Sequence, residues 1–134
     1  MRARAIIFDN QKVLLIHRVK NGSEYWVFPG GGVDNKEKAD EAVKRECLEE
    51  LGLNVLVKHL IDKCVNNKGQ MEHYYLCSIV DGKLGSGIGD EAKIKDPENV
   101  YLLEFVSLEK LIKINLYPKK MKEKVIKVLT ANSD

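Results

Sequence analysis

Residues 30–53 read GGGVDNKEKADEAVKRECLEELGL, and the chain has to be folded around them. Tyr25 to Phe28 is a short strand stopped by Pro29, and the three glycines that follow permit backbone angles that other residues avoid. A helix is expected from Ala39 to Leu51, with Asp40 and Glu41 favouring its N-terminal dipole and Gly52 at the C-terminal capping position. Lys38 is a poor N-cap, so the start is set only to within a residue or two. Along such a helix Glu46, Glu49 and Glu50 stand at i, i+3 and i+4 and share an arc of roughly 100°. Like charges so placed repel unless a cation bridges them. Oxygen ligands without histidine or thiolate select Mg²⁺ or Mn²⁺, whose remaining coordination suits phosphate oxygens. Glu37 falls nine residues before Glu46, on the opposite side of any continuous helix. It must therefore reach the acids from the loop or take another task, such as gripping Arg45, which can also pair with Glu49 one turn on. Taken singly, a glutamate-rich helix is an ordinary solvated face and a glycine run an ordinary turn; their joint spacing is what points to a site.

The flanking sequence reads as strands and short helices. Residues 2–8 and 12–17 are β-rich runs about the turn Asp9-Asn10-Gln11, which makes a hairpin, and Arg18 to Glu24 reads as a loop. Asn54 to Val65 and Glu72 to Val80 form a second, longer hairpin across Asn66-Asn67-Lys68-Gly69. Asp81 to Glu98 is glycine-rich and aperiodic, a loop of the length tied to binding. Val100 to Val106 returns to strand, Ser107 caps a short helix at Leu108 to Ile112, and Pro118 opens a last helix with Met121, Val125, Val128 and Leu129 on its apolar side. The elements interleave without regular strand-helix alternation, so the pattern predicts an α/β fold with a mixed sheet and helices on both faces.

At 134 residues and 44% apolar, the expectation is one domain spanning residues 1–134. No run approaches the roughly 18 apolar residues of a membrane span, and the first apolar stretch is too short for a signal peptide, so a cytoplasmic protein is expected. Cys47, Cys64 and Cys77 have no metal-like spacing and read as reduced thiols; a zinc site from Cys64, His73 and Cys77 has no supporting pair motif. A net charge of +2 does not call for nucleic acid, which is not an expected partner.

The spacing of the opening stretch resembles the Nudix box, G-x5-E-x7-R-E-U-x-E-E-x-G-U with U a bulky apolar residue, at Gly31, Glu37, Arg45, Glu46, Glu49, Glu50 and Gly52, with Cys47 and Leu53 in the apolar slots. Seven fixed residues at set offsets arise by chance on the order of once in a hundred million trials. Cys47 replaces the usual aliphatic residue, and Lys36 stands where many members carry glycine. The resemblance implies the family's α/β/α sandwich and hydrolysis of a nucleoside diphosphate linked to another group. It implies that Glu46, Glu49 and Glu50 bind Mg²⁺ with the Gly31 carbonyl, while Arg45 and Glu37 hold loop to helix. It also implies a general base that is either a box acid, Glu46 or Glu49, or an acid on a distant loop, with Glu91 the candidate. Relatives acting on ADP-ribose tend to carry a proline some way past the box, and none occurs between Pro29 and Pro97; markers for dinucleoside polyphosphates and coenzyme A are also unmatched. A nucleoside triphosphate, oxidised forms included, is left as the expected substrate. ADP-ribose or a nucleotide sugar is the alternative, and a non-catalytic nucleotide-binding module is the alternative of another class.

Outside the box, Arg4 and Arg18 are candidate phosphate contacts. Trp26 is the candidate base-stacking ring among Tyr25, Trp26 and Phe28, although alternation places at least one of these in the core. Gly30 and Gly31 are candidates for close approach to substrate. Asp90 and Glu91 are candidate metal or base groups, Asn115 to Pro118 a candidate pocket edge or turn, and the lysines of the last helix a solvated face. Either a monomer or a homodimer is compatible with the pattern.

Overall fold

The computed structural model describes residues 1–85, 95–96 and 98–132. Its strands are β1 (Arg2–Asp9), β2 (Lys12–Lys20), β3 (Ser23–Val27), β4 (Gly30–Gly32), β5 (Leu53–Val65), β6 (Met71–Gly82), β7 (Lys95–Asp96) and β8 (Asn99–Ser107). Its helices are α1 (Ala39–Glu46), α2 (Leu108–Leu111) and α3 (Lys119–Ala131). The sheet is mixed, in the order β5-β6-β1-β2-β8-β7, with β1 and β6 its parallel pair among the described strands.

The organising event is a hairpin that opens. Asn10 and Gln11, both at positive φ, close β1 onto β2, but the two strands pair only at Phe8↔Val13 and Asp9↔Lys12 before they diverge. The wedge between them is filled by β3 against β2 and by β4 against β1. Pro29, which has no N–H for a ladder, lies between these two inserted strands and accepts from the Ala5 N–H through its carbonyl. The glycine run is thereby fixed as a strand.

Two expectations are corrected here. Arg18 to Glu24 is not a loop: β2 runs on to Lys20 and β3 begins at Ser23, leaving Asn21 and Gly22 at φ 52° and 81°. That is a two-residue turn whose twist matches the flanking strands, and the Asn-Gly pair supplies the required positive φ. Val128 does not belong to the apolar stripe of α3; Met121, Val125 and Leu129 are buried at i, i+4 and i+8, while Val128 is 41% exposed.

Helices cover both faces, as the pattern predicts. On one face α2 and α3 pack through Leu111, Met121, Val125 and Leu129 against Ile6, Val13, Leu15 and Tyr74. On the other, α1 lays Ala42, Val43, Cys47 and Leu51 on Ala3, Ala5, Ile7 and Leu14. Val43, Leu51, Ile7 and Leu14, each fully buried there, stabilise the fold by about 1.5–3 kcal/mol apiece. The consequence for the site is steric: Ala3, Ala5 and Ala42 are all 0% exposed, and such small residues let α1 approach β1 and its neighbour β4 closely.

Candidate active site

That close approach sets the acids of the helix on the glycine strand. Gly31 pairs with Ala3 and faces α1; a Cβ built on it would collide with the Glu46 carboxylate. Gly30, at φ 143°, has no room for a Cβ against the Ala3 carbonyl, and its N–H donates to Glu50 Oε1 at 2.9 Å. Glu46 and Glu50 therefore meet adjacent glycines, one by contact and one by hydrogen bond. A side chain at Gly31 would displace the Glu46 carboxylate from this position.

The helix that carries these acids is not α-helical throughout. After Glu46 it continues as a π-helical turn over Cys47–Leu51, closed by Gly52 at φ 77° with its N–H shared between the Cys47 and Leu48 carbonyls. At 3.6 residues per turn Glu49 and Glu50 would flank Glu46 by about 60° and 40°. In a turn widened to about 4.4 residues, Glu50 comes within about 30° of Glu46 and Glu49 swings out to about 115°. The surroundings agree: the Glu50 carboxylate is enclosed, while the Glu49 side chain is 44% exposed. The expected single three-acid face is thus an inner pair, Glu46 and Glu50, with Glu49 beside it.

Arg45 binds the parts together. Its Nε and Nη2 grip the two oxygens of Glu37 at 2.8 and 2.9 Å, Nη2 also reaches the Gly32 carbonyl at 2.9 Å, and Nη1 reaches Glu46 Oε1 at 3.2 Å and Glu49 Oε2 at 3.3 Å. A bidentate guanidinium–carboxylate pair fixes orientation as well as charge. Glu37 consequently sits at a pKa of about 2, held down by the Arg45 hydrogen bonds and the Asp34 N–H, and the Arg45 guanidinium is raised by the same pair. Of the two tasks open to Glu37, the geometry gives it the grip on Arg45.

Glu50 is in the opposite condition. Burial pushes its carboxyl above the ordinary value; the Tyr101 hydroxyl and the Gly30 N–H oppose the rise, and nearby Glu46 adds to it. Tyr101 comes from β8, in the other half of the sheet, and donates to Glu50 Oε2. The Arg18 guanidinium lies over the Tyr101 ring, 5.2 Å from its centre, and donates to Asn99 Oδ1 at 3.2 Å. Neither Tyr101 nor Asn99 stands out in the sequence, because the register Arg18↔Tyr101 that brings them to the site is set by sheet pairing.

Two sequence-based candidates, Arg4 and Trp26, lie elsewhere than expected. Arg4 alternates with Ala3 and Ala5 and so leaves the α1 face; it donates to Glu72 Oε1 and to the Phe28 carbonyl, both at 3.0 Å, in a network with Tyr74 and Asn66 around the 5% exposed Glu72. Its guanidinium serves a buried carboxylate. Trp26 is 6% exposed, stacked on His17 at 4.1 Å and bonded through Nε1 to Glu104, in the core with Phe28; it is packing material and no exposed platform. The Gly30 N–H donates to Glu50 and not to solvent. Asn115 to Pro118 forms backbone bonds to Trp26, and Leu116 is buried. Cys47, Cys64 and Cys77 are unpaired thiols, with Cys77 pushed up to about 12 by burial. Asp90 and Glu91 lie outside the described residues.

The donor set suits a hard divalent cation: an enclosed carboxylate whose charge burial disfavours, a second carboxylate seated on glycine backbone, and oxygen donors throughout. Among the described residues no three acidic, histidine or cysteine side chains already converge on one cation position, because Glu49 is turned to Arg45.

Residues 1–129 match the family model of the NUDIX domain. The chain belongs to the Nudix family. Nudix hydrolases generally use divalent metal ions. The chain is 37% identical over 79 residues to a putative 8-oxo-dGTP diphosphatase of Bacillus subtilis, covering 58% of this chain and 52% of that one. It is 31% identical over 87 residues to an RNA pyrophosphohydrolase of a Wolbachia strain from Drosophila simulans, covering 53% and 54%. The crystal structure of an ADP-ribose pyrophosphatase from Streptococcus suis superimposes with a TM-score of 0.65 at 25% identity, covering 99% of this chain and 92% of that one. The Nudix chain spans about half the length of these two curated relatives. No described helix is long and apolar enough to cross a membrane.

Proposed function

We propose that this Nudix chain hydrolyses a phosphoric anhydride in a small nucleotide, a nucleoside triphosphate or its oxidised form, with Mg²⁺ or Mn²⁺ held by Glu46, Glu50 and the Gly31 carbonyl. The observation that carries the reading is the pair of carboxylates stacked on two glycines, one of them enclosed at a cost that a bound cation would repay. A bound Mg²⁺ supplies charge neutralisation for the diphosphate and lowers the pKa of a coordinated water. Arg45, locked by Glu37, keeps the glycine strand and the helix in register so that the acids hold their places. Glu49, half exposed and outside the enclosed pair, takes the proton of the attacking water; Glu91 is the alternative for that task. Arg18, on the same face as Tyr101, takes a phosphate oxygen of the substrate. Reduced thiols fit a cytoplasmic setting.

Triphosphates are preferred over ADP-ribose because the proline marker past the box is missing, and the local similarity to a putative 8-oxo-dGTP diphosphatase over 79 residues supports the same reading. Similarity to an RNA pyrophosphohydrolase supports a second substrate reading, a 5′-triphosphate RNA end. The test is a panel of nucleoside triphosphates, oxidised triphosphates, ADP-ribose, nucleotide sugars and 5′-triphosphate RNA with Mg²⁺, read by phosphate and pyrophosphate release. Turnover is expected on free triphosphates with pyrophosphate as product. Tight nucleotide binding with no turnover on any member would establish a binding module instead.

A further inference from the structure

The two halves of the sheet meet at one carboxylate. Glu50 reaches from the helix on the β4 side and receives the hydroxyl of Tyr101 from β8 on the other side. Rotation of a glutamate carboxylate about its last bond is broad and nearly two-fold when nothing holds it. Here the Gly30 N–H fixes Oε1 and the Tyr101 O–H fixes Oε2, so the plane of the group is set by two donors from different strands. A carboxylate has about four acceptor positions; with two taken, the remaining ones have fixed directions. Tyr101 is itself held: it is 9% exposed, and Arg18 lies on its ring while donating to Asn99.

We infer that Tyr101 is a positioning residue for divalent-cation binding, orienting the Glu50 carboxylate from across the sheet. The inference rests on the proposed metal-dependent hydrolysis and adds to it a residue outside the box. Partners that orient a metal ligand typically account for about 10- to 100-fold in metal affinity or activity. Tyr101→Phe keeps the ring that Arg18 covers and removes the hydroxyl that Glu50 accepts from.

The experiment is Mn²⁺ binding to the metal-free full chain, followed by electron paramagnetic resonance, alongside steady-state kinetics and melting temperature. For Tyr101→Phe the Mn²⁺ dissociation constant rises about tenfold or more and kcat falls comparably, while KM for the nucleotide stays within about twofold. A purely structural tyrosine would lower the melting temperature and leave the Mn²⁺ affinity of the folded protein at the wild-type value, which overturns the inference alone. Wild-type protein that binds no Mn²⁺ overturns the metal reading and the role of Tyr101 with it.

Discussion

Replacing Glu50 by Gln should make the metal-free protein more stable while disabling it. The carboxylate accepts from Gly30 and Tyr101, and charge-assisted bonds are stronger than neutral ones by about 1 kcal/mol each, so the amide forfeits about 2 kcal/mol. Against this, keeping an ion in an enclosed position costs several kcal/mol in real proteins, and Glu46 repels it further. The balance favours the amide by about 1 kcal/mol, or about 3–5 °C in melting temperature for a chain of this size. The pH dependence follows from the direction of the shift. The folded-state pKa of Glu50 lies above its ordinary 4.5, so the folded protein holds a proton that the unfolded chain releases. The stability linked to that proton is present below 4.5 and lost as pH rises through the raised value. The difference between variant and wild type should therefore grow from pH 4.5 upward and level off once Glu50 is ionised. Differential scanning calorimetry of both proteins from pH 4.5 to 8.5, with and without Mg²⁺, reads this out, and Mg²⁺ should raise the melting temperature of the wild type only. A variant less stable than wild type at every pH would show that the Glu50 charge is not costly, and one equally stabilised by Mg²⁺ would show that Glu50 holds no cation.

Three further substitutions probe the glycine strand, the core and the Arg45 clamp. Gly31→Ala puts a Cβ where the Glu46 carboxylate lies; that flexible side chain should swing aside, so kcat should fall while stability changes by less than about 1 kcal/mol, measured by kinetics and denaturant unfolding. Trp26→Phe removes the bond to Glu104 and part of the core, so stability should fall by about 1–3 kcal/mol with KM nearly unchanged; a rise in KM at constant stability would restore Trp26 as a base contact. Glu37 has its pKa lowered to about 2 by Arg45, so its contribution to stability is present above 4.5 and lost as pH falls from there through 2. Glu37→Gln should flatten the melting temperature over that window, measured by circular dichroism.

The acids and glycines of residues 30–53 were legible in the sequence because their chemistry depends on spacing along one strand-loop-helix unit. Their division into an enclosed pair and an outer member was not. It rests on a turn widened after Glu46, a change of one hydrogen-bond register that has no side-chain signature. The position of Arg4 is carried by alternation: Ala3 and Ala5 face the helix, which puts Arg4 on the other side of the sheet. The Asn21-Gly22 turn carried its signal openly; the polar strand ends around it obscured the reading. Tyr101 was out of reach, because it comes to Glu50 through a pairing 83 residues distant in sequence from Arg18. The splayed β1–β2 hairpin that admits the glycine strand is likewise a product of long-range pairing and the close packing of three buried alanines.

The proposed divalent-cation site consists of Glu46 and Glu50, set on Gly31 and Gly30. Anomalous diffraction from crystals grown with Mn²⁺ and a non-hydrolysable nucleoside triphosphate analogue tests it most directly. An anomalous peak is expected within coordination distance of the Gly31 carbonyl and of carboxylate oxygens of Glu46 and Glu50, with Arg45 still gripping Glu37. Manganese bound elsewhere, with Glu50 remote from any peak, would contradict it.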